Sequence, residues 1–195
     1  MFKSKEEVRR YVWKRISSIC RFNPYNRIPN FFNAEKACEK IRELEEYLRA
    51  KFVFSAPDSV LLKLREIVLE DDKILLVAKP KIRGFWLIDR KIKPTIKAMS
   101  TYGKEVDLNR LKLKVDLFVQ GCVAIDKNGN RIGKGSGFGD REYEILKKYG
   151  LLADNCLYVV VAHDIQVFDD LSYLMSKHDV KADVILTPTK IIWTS

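Results

Sequence analysis

Residues 129–140 gather the groups of this chain best suited to chemistry. Five of its nine glycines fall at 129, 133, 135, 137 and 139, and Arg131, Lys134 and Asp140 stand among or beside them. Glycine permits positive φ and lets backbone N–H groups approach a ligand closely. The run Asp140-Arg-Glu-Tyr-Glu-Ile-Leu146 that follows reads as a helix with an acidic first turn. A loop of this kind aims N–H donors, two cations and the positive end of a helix dipole at one spot, which suits a phosphate. In that reading Arg131 contacts phosphate, and the backbone from Gly133 through Lys134, Gly135, Ser136, Gly137, Phe138 and Gly139 cradles it. Asp140 stands where it can cap the helix. The competing reading is a flexible hairpin loop, but such turns need one or two glycines rather than four at alternate positions.

Spacing excludes two familiar phosphate loops. The Walker pattern needs four residues between its first glycine and Gly-Lys, whereas Gly129 to Gly133-Lys134 leaves three, and Gly135 stands where Ser or Thr belongs. The dinucleotide fingerprint GxGxxG ends on Phe138, Asp140 or Glu142 from any starting glycine of the loop.

The elements that must position this loop follow from periodicity. Val8, Val12, Ile16 and Ile19 recur at helical spacing, giving an amphipathic helix over 4–19. At about 100° per residue, Lys5 and Arg9 lie beside Val12 and Ile16, on the side that faces the protein. Cations there either meet an anion or snorkel from an ordinary surface helix. Residues 20–33 are a loop, with Pro24, Pro29 and four asparagines, and it carries the cationic, aromatic stretch Arg27-Ile-Pro-Asn-Phe-Phe32. A second helix is expected over 34–50, then a strand at 52–55 and a helix from Pro57-Asp58 to about residue 70. Ile74–Ala78 reads as a doubly buried strand and 84–89 as another. The cluster Lys79-Pro-Lys-Ile-Arg83 sits where open α/β sheets bind ligands, past the carboxyl end of a strand. Residues 90–113 are irregular, with room for a short helix. Val115–Ile125 reads as the strand that delivers the glycine loop through a turn at Lys127-Asn-Gly-Asn130. Gly150 ends the helix that starts at 140, Leu157–Ala162 forms a buried strand, and 182–188 and 191–193 close the sheet.

Alternating helices and apolar strands make this an α/β protein, and 195 residues with 47% apolar content suit one domain over 1–195. No run has the length of a membrane span, and the charged N-terminus lacks a leader's apolar core, so a cytoplasmic setting is expected. Cys20, Cys38, Cys122 and Cys156 read as reduced thiols, with a Cys20–Cys38 bridge left open. The net charge of +10 favours anionic partners.

Arg131-Ile-Gly-Lys-Gly-Ser-Gly-Phe-Gly-Asp140 resembles the R-x-G-x-G-x-G-[FY]-Y-D loop of the 5-formyltetrahydrofolate cyclo-ligase (methenyltetrahydrofolate synthetase) family, and in particular its synthetase-domain-containing subgroup. Arg27-Ile-Pro-Asn-Phe31, Ala162-His-Asp-Ile-Gln166 and the stretch from His178-Asp179 to Thr189 extend the likeness along most of the chain. The resemblance implies a ribose-phosphate-isomerase/CoA-transferase-like fold: three layers around a mixed, largely parallel sheet. It implies ATP, Mg²⁺ and a folate-like substrate, whose formyl oxygen is phosphorylated before ring closure expels phosphate. Lys5-Glu-Glu-Val-Arg9 is similar to the family's N-terminal K-x-x-[LIV]-R, whose cations contact nucleotide. Asp140 matches the magnesium position, and Arg83, Phe85, His163 and Gln166 match segments that border the folate pocket. For Trp86 the reading is core packing.

Two departures stand out. The family usually carries a cation at the Ser136 position and a second aromatic, commonly tyrosine, at the Gly139 position. Lys134 is placed to supply part of the missing charge. Three functions follow in order: an ATP-using cyclo-ligase or related enzyme, a binding module that keeps the pocket without the reaction, and RNA binding. RNA comes last, because no aromatic RNP-like strand pattern is present.

Overall fold

A computed structural model describes residues 1–195. The chain begins with helix α1 (Lys5–Ile16), capped by Ser4, whose hydroxyl accepts from the Glu7 N–H. Two short helices follow, α2 (Ala34–Glu39) and α3 (Glu45–Arg49). The continuous helix expected over 34–50 is broken because Leu44 is extended, at φ −85° and ψ 124°. That residue restarts the helix in a new phase, so Tyr47 turns into the core and Leu48 faces solvent. The buried Tyr47 hydroxyl finds its partner in the Asp71 carboxylate at 2.8 Å.

Then come β1 (Phe52–Ser55), α4 (Leu62–Glu70), β2 (Ile74–Ala78), β3 (Phe85–Ile88), α5 (Ile96–Tyr102), β4 (Lys104–Glu105) and β5 (Val115–Gly121). They are followed by β6 (Ala124–Asp126), β7 (Arg131–Ile132), α6 (Phe138–Lys148), β8 (Leu152–Val161), β9 (Val167–Phe168), β10 (Val184–Leu186) and β11 (Ile191–Trp193). The main sheet has the order β11-β10-β8-β5-β1-β2-β3-β4. Its five central strands, β10, β8, β5, β1 and β2, are parallel, and β11, β3 and β4 run antiparallel at the edges. This is the mixed, largely parallel sheet expected.

Strand side chains alternate between faces, and here both faces are dry. Val53, Leu75, Val77, Leu117, Val119 and Val159 join the core under α2 and α4. Phe54, Leu76, Phe118, Val160 and Ile185 form a second core with Leu146 of α6. Phe54 stacks on Phe118 at 4.5 Å between centroids, across the pair of strands that puts them in register. Helices on both faces make three layers. No helix is long and apolar enough to cross a membrane. All four cysteines are free, so Cys20 and Cys38 are not bridged.

The single strand expected over Val115–Ile125 is two strands in two sheets. β5 ends at Gly121, where a Cβ would come within 2.6 Å of Ile28 Cγ2, and the chain bends away from the main sheet there. β6 instead pairs with β7 and β9 in a three-stranded sheet. The turn between β6 and β7 is held by Asp126, which is fully buried. Its carboxylate accepts from the N–H groups of Asn128, Asn130 and Leu171 and from the Asn130 side chain, all within 2.9 Å. Helix α1 packs on β6 and on the turn at 164–166. Through that packing the small sheet carries both α1 and the glycine loop.

Candidate active site

A cleft of about 510 Å³ opens where the glycine loop, the N-terminus of α6, α1 and the turn at 79–82 meet. It is lined by every residue from Arg131 to Asp140, together with Lys5, Arg9, Asp58, Gln120 and Glu142. Lys79, Lys81, Ile28, Ile82 and Ile96 complete most of its wall. Six basic side chains against three acidic ones make this an anion site.

The loop's geometry follows from its glycines. Gly135 has φ +105° and Gly137 has φ +67°, conformations that cost a side-chain-bearing residue about 1 kcal/mol or more. Gly137 is the N-cap of α6, so the helix starts at Phe138 rather than 140. Asp140 is thereby the helix's third residue, not its cap. The first N–H groups of α6 have no carbonyl of their own helix to bond, and Phe138, Gly139 and Asp140 all line the cleft.

Arg131 is only 7% exposed. Its Nη2 donates to Asp140 Oδ1 at 3.0 Å, while its Nε is buried without a partner. The guanidinium fits because Gly139 has no side chain: a Cβ there would sit 2.7 Å from Nη2 and 3.1 Å from Gln120 Oε1. Arg9 reaches across from α1, its Nε donating to the Gly133 carbonyl at 2.7 Å. Lys5 ion-pairs with Asp179 at 2.6 Å. Lys134 lines the cleft and takes part in no ion pair of the molecule.

The cleft also holds residues that the sequence did not single out. Gln120, at the end of β5, is buried. Its amide donates to the Gly139 carbonyl at 2.9 Å and to Glu142 Oε2 at 2.7 Å, and its oxygen accepts from the Tyr158 hydroxyl at 2.6 Å. Burial, reinforced by Asp58, pushes the Glu142 carboxyl up to about 8 against the pull of Gln120, Arg131 and Lys134. Burial also raises the Asp58 carboxyl, opposed by Lys134, Arg65 and Arg131. Arg65 lies fully inside, bonding the carbonyls of Ala56, Asp58 and Pro94, and so fixes the segment that presents Asp58. One charged residue among several in its helix (Lys63, Glu66 and Glu70 are the others) gave no signal of that role.

Four residues expected to bind substrate lie outside this lining. Phe85 is core, packed near Phe54, and Arg83 is exposed beyond the turn at 80–82. Gln166 is spent on structure: its amide donates to the carbonyls of Cys122 and Val123, and its oxygen accepts from the His163 N–H. His163 Nδ1 in turn accepts from the Ile165 N–H, so the pair forms a capping box. Burial lowers the His163 pKa, with Asp164 opposing. Trp86 is core, as read.

A sequence profile of the 5-formyltetrahydrofolate cyclo-ligase family matches residues 2–188. The chain belongs to that family. It is 36% identical over 207 residues to a methenyltetrahydrofolate synthase domain-containing protein of Danio rerio, covering 98% of this chain and 54% of that one. The protein of the same name from Homo sapiens is 34% identical over 209 residues, with the same shares covered. The chain thus spans about half the length of the curated relatives it matches. Among solved structures, the 5,10-methenyltetrahydrofolate synthetase of Aquifex aeolicus superposes with a TM-score of 0.60 at 23% identity, over 97% of this chain and 92% of that one. The synthetase of Mycoplasma pneumoniae gives 0.56 at 13% identity, over 93% and 97%. The cyclo-ligase fold is therefore retained across the chain.

Proposed function

We propose that residues 1–195 form one cyclo-ligase domain that binds ATP in this cleft and uses it on 5-formyltetrahydrofolate or a closely related folate, in a cytoplasmic setting. The observation that carries the reading is the convergence of Arg131, Lys134, Arg9 and the α6 N-terminus on one glycine-lined concavity. Loop N–H groups and Lys134 neutralise the triphosphate, as the chemistry of phosphoryl transfer requires. Arg9 fixes the loop through the Gly133 carbonyl, and buried Arg131 faces the charge that grows on the transferred group. In the cyclo-ligase reaction the formyl oxygen bonds to γ-phosphorus as the bond to ADP breaks, and ring closure then expels phosphate. The part of this chain is to hold those two atoms in line and away from water.

The donor set suits Mg²⁺. Asp140 is 39% exposed at its side chain and keeps Oδ2 free beside the loop. One carboxylate next to phosphate oxygens and water is a usual magnesium site. Asp140 would hold the ion, which would supply charge compensation for the phosphates.

Gly139 favours a second reading. Without an aromatic there, the chain could hold nucleotide and folate without turning them over. Calorimetric titration with Mg-ATP tests what the two readings share. Wild type should bind, and Arg131→Ala should weaken binding about tenfold or more, since it removes a buried charge-assisted donor. Absence of ATP binding in wild type overturns both.

A further inference from the structure

Glu142 is 4% exposed, and only one of its two carboxyl oxygens is occupied. Oε2 accepts from Gln120; Oε1 has no partner, no cation pairs with the group, and the residue lines the cleft. Oε1 is therefore the part of this otherwise buried carboxyl that opens on the cleft, since Arg131 Nε is the one buried side-chain polar atom without a partner, and the group is held in place from behind. Tyr158, packed at 5.1 Å from the Phe118 ring, donates its hydroxyl to Gln120, and the Gln120 amide is pinned between the Gly139 carbonyl and Glu142. Each atom of that relay is used except the last. The cleft that it lines also carries the aliphatic side chains of Ile28, Ile82, Ile96 and Ile132.

We infer that Glu142 is a specificity-determining contact which accepts the N–H edge of a flat heterocycle, an aminopyrimidine-type ring, with Gln120 and Tyr158 as positioning residues. Aliphatic walls take the ring faces, and an acceptor at the rim of the ring reads its amino group. A site built to bond an N–H rejects analogues lacking it far more strongly than an apolar pocket rejects an extra methyl. The inference rests on the reading of this cleft as a two-substrate site. Either the adenine of the nucleotide or the amino-bearing ring of the second substrate has this chemistry.

Both sources are separable with defined probes. Binding of ATP, of inorganic triphosphate and of 2,4-diaminopteridine (alone and with a non-hydrolysable ATP analogue present) is measured for wild type, Glu142→Gln and Glu142→Asp. Glu142→Gln is nearly isosteric and can still accept from Gln120; Glu142→Asp keeps a carboxyl but withdraws it, so one folded variant suffices. The expected result is that diaminopteridine binds wild type and weakens about tenfold in either variant, while inorganic triphosphate is unaffected. Loss of ATP affinity without loss of triphosphate affinity would assign the contact to adenine instead. If diaminopteridine fails to bind wild type, or binds the variants equally, and ATP affinity is also unchanged in them, the inference is overturned. Failure of wild type to bind ATP and triphosphate overturns the proposed function separately.

Discussion

The Arg131 guanidinium lies across the α-carbon of Gly139, at a distance where no side chain fits between them. A Cβ at 139 would be 2.7 Å from Nη2, and Arg131 is held from the other side by Asp140 at 3.0 Å. The glycine that departs from the family's aromatic is thus the residue that lets the loop's arginine sink into the protein. Charge and absent side chain form one arrangement, and changing either changes both.

Gly139→Ala should accordingly displace the guanidinium rather than strain the backbone, because φ at this glycine is not positive. The expected outcome is a three- to tenfold loss of ATP affinity, about 1 kcal/mol, with the melting temperature moved by only a few degrees. Calorimetry and a thermal melt on one sample separate the two. A large drop in melting temperature with unchanged affinity would mean that Arg131 is structural.

Asp126 anchors the turn that sets the loop's direction. Asp126→Ala would strand the donors of Asn128, Asn130 and Leu171 in the interior. At about 1–3 kcal/mol for a buried unsatisfied group, a loss of about 3 kcal/mol or more is expected. For a chain of this size that is roughly 6–12 °C in melting temperature. Urea unfolding of the variant beside wild type measures it.

The docking of α1 should be pH-dependent through Asp179. Burial alone would raise this carboxyl, but the Lys5 ammonium and the Ser176 N–H together hold it below the usual range. A carboxyl whose folded pKa lies below its unfolded value of about 3.9 contributes stability above that value and loses it as pH falls through the folded pKa. Wild type should therefore be more stable than Asp179→Asn at pH 6, and the gap should close on acidification below pH ~4. Urea midpoints across that range give the comparison; a gap constant with pH would assign the stabilisation to something other than the ion pair.

Much of the architecture was legible because it is local. The apolar run Ile74–Ala78 reads as a buried strand and is one, and the alternate glycines before Asp140-Arg-Glu read as a loop entering a helix, which they are. Lys5, Arg9, Arg131, Lys134 and Asp140 lie together in the cleft because helical phase and loop position already put them on facing edges. What the sequence hid depends on long-range register. Gln120 is one more polar residue in a strand until β5 pairs with β8 and faces it toward Tyr158 and Glu142. Glu142 looks like a solvated helix residue until α6 packs it against Gln120. The break after Gly121 was invisible because the side chains that crowd it, Ile28 and Val60, come from segments far away in sequence. Gln166 looked like a ligand contact and is a capping residue, since a glutamine three residues after His163, just past a strand, serves either purpose equally well.

One assay decides whether this chain, with Gly139 and Ser136 in its loop, still uses ATP to close the folate ring. Absorbance of 5,10-methenyltetrahydrofolate is followed during incubation with 5-formyltetrahydrofolate, ATP and Mg²⁺, with Asp140→Ala as control. Steady ATP-dependent formation is expected, falling about a hundredfold or more in the control, as when charge compensation of a phosphoryl transfer is removed. No formation by wild type that binds ATP normally would contradict it, and would mean that the cleft keeps its phosphate cradle without the reaction.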